Sequence, residues 1–135
     1  LLQNRIELKG KFTGMKANEL RIGNLVFNHL NTIQKITASN IVAQSQFDIA
    51  KAKGYSPIPL TEELLFNCGF ELNDKCYEIC SQNGIVIEIR FISDCYYLVT
   101  QCEWGYNGFL YLHQFQNLYF SLTGQELNTS NLTDL

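Results

Sequence analysis

Residues 111–124 read YLHQFQNLYFSLTG, and no other segment constrains the fold as tightly. At ~100° per residue, Tyr111, Leu112, Phe115, Leu118, Tyr119 and Leu122 fall within an arc of about 120°, the pattern of a helix that buries one face. Such a helix is stable only against a second layer, so the chain must also supply a sheet or another helix to cover the arc. Gly124 stands where a left-handed residue ends the helix, and Leu127 can fold back over the last turn. His113, Gln116, Asn117 and Phe120 fall on the other side. An amphipathic helix needs no aromatic there, so Phe120 is expected either beneath a second layer or on a binding surface.

The covering layer is read from GIVIEIRFI, where Ile85, Ile87, Ile89 and Phe91 alternate with Val86, Glu88 and Arg90, the period of a half-buried strand. KCYEIC and CYYLVTQC are its antiparallel partners, joined through Gln82-Asn83-Gly84 and through Ser93-Asp94, giving a three-stranded sheet. Cys76 and Cys80 then share a face opposite Tyr77 and Ile79. Upstream, Pro57 and Pro59 hold the chain extended. Thr61 caps a short helix over about 62–68, Glu62 and Glu63 complement its dipole, and Gly69 ends it.

Between residues 20 and 50, LRIGNLVFN, NTIQKITAS and NIVAQSQFDIA read as short strands with turns at His29-Leu30-Asn31 and Ser39-Asn40. Strands at that spacing resemble an SH3-like barrel in outline, although periodicity does not decide closure. The expected class is therefore α+β: an N-terminal short-strand meander, a central helix, an antiparallel sheet and a C-terminal amphipathic helix. Residues 1–14 read as an extension ahead of Met15. Residues 15–127 read as one domain with sub-lobes of about 15–60 and 61–127, and 128–135 as a frayed polar tail.

With 17% charged residues and seventeen aromatics, the chain has the composition of a globular domain with a ring-rich core. No apolar run approaches the roughly 18–20 residues of a membrane span, and no secretory signal pattern opens the chain, so a cytoplasmic protein is expected. The five cysteines, at 68, 76, 80, 95 and 102, include no Cys-x-x-Cys pair and read as reduced thiols. Charge is uneven: residues 1–60 carry eight Lys/Arg against three acids, a balance of +5, while residues 61–135 carry two against ten, a balance of −8.

No catalytic or metal-binding signature emerges, and no cofactor is expected. His29 and His113 are the only histidines and have no further ligand at local spacing. KGKFTGMK lacks the spacing of a phosphate loop, and the paired Glu62 and Glu63 are accounted for by the first turn of a helix. EWGYNGF, by contrast, offers Trp104 and Tyr106 either as recognition aromatics or, with Phe109, which is expected in the core, as a plug at the end of the core.

The blocks MKANELRIGNLV, PIPLTEELLFNCGF and YLHQFQNLYFSLTGQEL, taken in order, resemble a family of small uncharacterised proteins of phages, prophages and mobile elements of Bacteroides-type bacteria. The resemblance spans roughly residues 15–127. It implies an accessory protein in a bacterial cytoplasm, with no activity or catalytic residue to carry over. The expected function is a non-enzymatic interaction module for a host or phage protein, using Trp104, Tyr106, His113, Gln116, Asn117 and Phe120. The alternative is a nucleic-acid-binding accessory protein that uses Lys35, Lys51 and Lys53 of the basic half, which the overall pI of about 5.3 disfavours.

Overall fold

A computed structural model describes residues 19–46, 54–99 and 108–132. They fall into two compact units, one from the described residues up to Pro59 with Tyr111–Asn117, the other from residues 60–99, 108–110 and 118–132. The fold is α+β.

In the first unit, β1 (Leu25–Phe27) pairs antiparallel with β2 (Ile33–Lys35), with Val26 opposite Gln34. Asn28 organises the connection, its Oδ1 accepting from the Leu30 and Thr32 amides, and Asn31 supplies a positive φ of 64°. The expected third strand is instead α1 (Ala38–Gln46). Its start is a capping box: Thr37 Oγ1 accepts from the Asn40 amide, and Asn40 Oδ1 accepts from the Thr37 amide at 3.0 Å. The Asn that reads as a turn residue is thus the third residue of a helix. Among the described residues the SH3-like outline has no support. Val26, Leu20 and Ile36 form an apolar cluster with Ile41 and Tyr55.

The unit is completed by the first half of α3 (Leu112–Thr123). Tyr111 bridges Pro59, and the Leu112 amide donates to Ile58 O at 2.8 Å. A buried polar network then ties the helix to the β1 entry. Gln116 Oε1 accepts the Leu25 amide at 2.8 Å, and its Nε2 donates to Gly23 O at 3.3 Å. Asn117 Oδ1 accepts from Asn24 Nδ2 at 2.8 Å and from Arg21 Nε at 3.2 Å. Gly23, at φ 96°, makes the tight bend that presents these groups.

The second unit opens with α2 (Glu62–Asn67), capped by Thr61, whose side chain accepts the Leu64 amide at 3.1 Å. It ends in a Schellman motif: Gly69 (φ 101°) donates to Phe66 O and Phe70 to Leu65 O. The sheet that follows has four strands rather than three, β3 (Glu71–Asn73), β4 (Cys76–Cys80), β5 (Val86–Ile92) and β6 (Cys95–Leu98), antiparallel in that order. The added strand arises because Asp74, at φ 57°, turns the chain back within two residues, so Asn73 faces Cys76. Ser93 and Asp94 both take positive φ, the geometry of a type I′ hairpin, and Gly84 does so in the β4–β5 turn.

Tyr77, Ile79, Ile87, Ile89 and Tyr96 are buried on one face, while Cys76 is half-buried and Cys80 exposed on the other. Phe109 extends the β6 side through reciprocal hydrogen bonds with Tyr96 at 2.8 and 2.9 Å. The C-terminal half of α3 contributes buried Tyr119 and Thr123, and Gly124 (φ 71°) ends the helix. Leu122 is exposed rather than buried. Residues 128–132 are not frayed: Asn128 Oδ1 accepts from the Ser130 amide, Leu132 donates to Thr129 O, and the Leu132 side chain is buried.

Replacing Gln116 with Leu keeps the volume but strands the buried Leu25 amide, so urea unfolding should show a loss of about 1–3 kcal/mol. At Gly108, a Cβ would lie 2.8 Å from Cys95 Cβ and 2.9 Å from Tyr97 Cζ. Gly108→Ala should therefore lower stability by roughly 1–3 kcal/mol in the same assay.

Candidate interaction surface

The positions singled out from sequence separate in space. His113 and Gln116 are buried, Asn117 is half-buried within the network to Arg21 and Asn24, and Phe120 is exposed. The helical wheel assigns His113 and Gln116 to the polar side, but that side of the first half of α3 carries the tie to Gly23 and Leu25, which removes Gln116 from any free surface. Trp104, Tyr106, Lys51 and Lys53 lie outside the described residues, and Lys35 is exposed at the end of β2.

A different surface stands out in the second unit. Phe66 from α2, Leu72 from β3 and Phe91 from β5 are 43%, 51% and 50% exposed. All three adjoin the same pair of buried tyrosines. The Phe66 ring lies 6.1 Å from that of Tyr77, the Tyr77 ring 6.3 Å from Tyr96 in an edge-on arrangement, and the Phe91 ring 4.8 Å from Tyr96. Leu72 is the register partner of Tyr77, and Phe109 stacks on Tyr96 from the other side at 6.2 Å. The sheet register thus sets two tyrosines as a floor with half-exposed apolar side chains around it.

One carboxylate belongs to this surface. Tyr77 OH donates to Glu62 Oε2 at 2.5 Å, satisfying the polar tip of an otherwise buried ring. Burial first, then the Glu62 hydrogen bond and charge, push the Tyr77 hydroxyl up to about 12. Tyr96 is raised as well, by burial and then by Glu62. Both rings are therefore neutral donors through the physiological range.

The titratable groups elsewhere offer little convergent chemistry. Among the described residues no three His, Cys, Asp or Glu side chains are placed to hold a metal ion. Burial raises the Cys68 thiol to about 12, which leaves it un-ionised at neutral pH. Arg90 donates to Cys76 Sγ at 3.2 Å on the outer face of the sheet. His113 stacks on Tyr111 with ring centroids 6.2 Å apart, and its Nδ1 is buried with no hydrogen-bond partner among the described residues. No helix among the described residues is long and apolar enough to cross a membrane.

Compared with known protein families, with curated proteins and with solved structures, the chain matches none.

Burial lowers the His113 pKa from 6.5 to about 4, so the folded state holds the neutral ring and the unfolded chain binds the extra proton between those values. Stability contributed by the neutral ring is complete above the unfolded pKa and is lost as pH falls from 6.5 towards 4. The loss between pH 7.5 and pH 5 should be about 2 kcal/mol. Urea unfolding of the parent protein and of His113→Phe at the two pH values checks this, with the variant lacking that part of the pH dependence.

Proposed function

We propose that the protein is a non-enzymatic protein-interaction module that docks a partner on the surface formed by Phe66, Leu72 and Phe91. The carrying observation is that three large apolar side chains stay half-exposed around one buried tyrosine pair. Covering their exposed parts is worth on the order of 1 kcal/mol each, and aromatic side chains over a packed floor are the usual energetic centre of protein interfaces. Glu62 at the rim supplies one charged acceptor, which orients a partner more than it holds it. The partner in this reading is a host or phage protein of a bacterial cytoplasm, a choice supported by the resemblance of the three sequence blocks to small phage and mobile-element proteins.

Affinity capture from lysate of a Bacteroides-type bacterium tests the reading. The parent protein should retain a specific protein that Phe66→Ser/Phe91→Ser loses, with the fold of the variant verified by circular dichroism. Leu30→Ser, at an exposed apolar position of the other unit, should retain it. Unchanged retention by the double variant contradicts the proposal. Retention abolished by nuclease would point instead to Lys35, Lys51 and Lys53.

A further inference from the structure

β3 is an edge strand whose three residues are all exposed. Its hydrogen-bonding direction follows from the other end of the sheet. The Ser81 amide donates to Ile85 O, so the closing pair of the β4–β5 hairpin is hydrogen-bonded. Counting back by two, Ile79 and Ile87 and then Tyr77 and Ile89 are also hydrogen-bonded pairs. Tyr77 therefore directs its backbone groups at β5, and the Leu72–Tyr77 pair opposite is a non-hydrogen-bonded one. Leu72 consequently turns its own N–H and C=O to the open edge.

The two faces beside that edge differ in chemistry. On one, Leu72 stands opposite Tyr77, whose ring lies 6.1 Å from that of Phe66. On the other, Glu71 stands directly opposite Glu78, and Glu78 opposite Glu88, so three carboxylates form one row across three strands. Like charges in register destabilise a sheet. No ion pair neutralises Glu71 or Glu78 among the described residues. Arg90, on the same face, is engaged with the Cys76 thiol and interacts electrostatically with Glu88.

We infer that β3 accepts an extended segment of a partner protein as a fifth strand, one with an apolar residue opposite Leu72 flanked by Lys or Arg. The apolar side chain would extend the Phe66 and Leu72 surface, the backbone would take up the Leu72 N–H and C=O, and the neighbouring cation would cap the carboxylate row at Glu71. A second copy of β3 fits less well, since it presents Leu72 between Glu71 and Asn73 and brings no cation to the row. The inference rests on the reading of this face as protein-binding and specifies the chemistry of the partner.

The test is an NMR titration of the full chain with two synthetic heptapeptides, one alternating Lys with Val and one alternating Glu with Val. The basic peptide should perturb the Leu72 amide and its neighbours, and the acidic peptide should bind at least about tenfold more weakly. Leu72→Pro removes an outward N–H without breaking the β3–β4 ladder and should weaken the basic peptide roughly tenfold. Glu71→Lys should also weaken it while leaving the fold unchanged. Equal binding of the two peptides, no binding, shifts centred away from β3, or self-association abolished by Leu72→Pro would each overturn the inference. Partner capture that depends on Phe66 and Phe91 with no peptide response sinks only the strand addition, whereas a peptide response with capture indifferent to those residues sinks the aromatic docking surface.

Discussion

The register of the four-stranded sheet is the constraint on which the second unit depends. Side chains alternate with a period of two, so slipping any strand by one residue would exchange its two faces. Register is held at three turns, where Asp74, Gly84 and the Ser93-Asp94 pair take positive φ and reverse the chain over two or three residues. In this register Tyr77, Ile79, Ile87, Ile89 and Tyr96 meet in the core, and Glu71, Glu78 and Glu88 fall in one row outside it. The apolar surface and the acidic row are two consequences of one alignment. Phe91 and Leu72 share the core face of the sheet with the tyrosines, yet stay half-exposed.

The first unit is held by a different interaction. Its strands are three residues long, too short to be stable as an isolated hairpin. Gln116 acts as a surrogate strand, offering an acceptor to Leu25 and a donor to Gly23 from the side of a helix. Asn24 and Asn117 continue the network to Arg21. The short stretches RIGN and QFQN are thereby halves of one polar tie. A buried network of this kind is specific because each member left without its partner costs more than the intact bond contributes.

What the sequence discloses and what it hides divides along the range of the interactions involved. The Thr61 cap, the Gly69 and Gly124 terminations, the turns at Gly84 and at Ser93-Asp94 and the alternation that exposes Cys80 are all local and legible. α1 was hidden because its capping box uses Asn40 in place of the usual Glu or Gln, and an Asn after Ser reads as a turn. β3 was hidden because Glu71-Leu72-Asn73 has no buried side chain and therefore no apolar rhythm. The burial of His113 and Gln116 contradicts the helical wheel, which knows the axis of a helix but not the backbone groups brought against it. Leu132 lies in a tail whose polar sequence carries no apolar pattern, yet one buried leucine and an Asn128 turn are enough to pin it. The apolar surface draws Phe66, Leu72 and Phe91 from three elements that become neighbours only through the sheet, so no local pattern marks it.

Contact between that surface and another protein is directly measurable. The most direct measurement places a photoreactive benzoylphenylalanine at position 91, with position 30 in the other unit as the control, and irradiates the protein in bacterial lysate. A discrete protein adduct at position 91 and none at position 30 is the predicted result. Adducts of equal yield at both positions, or none at position 91 while the protein stays folded, would contradict it.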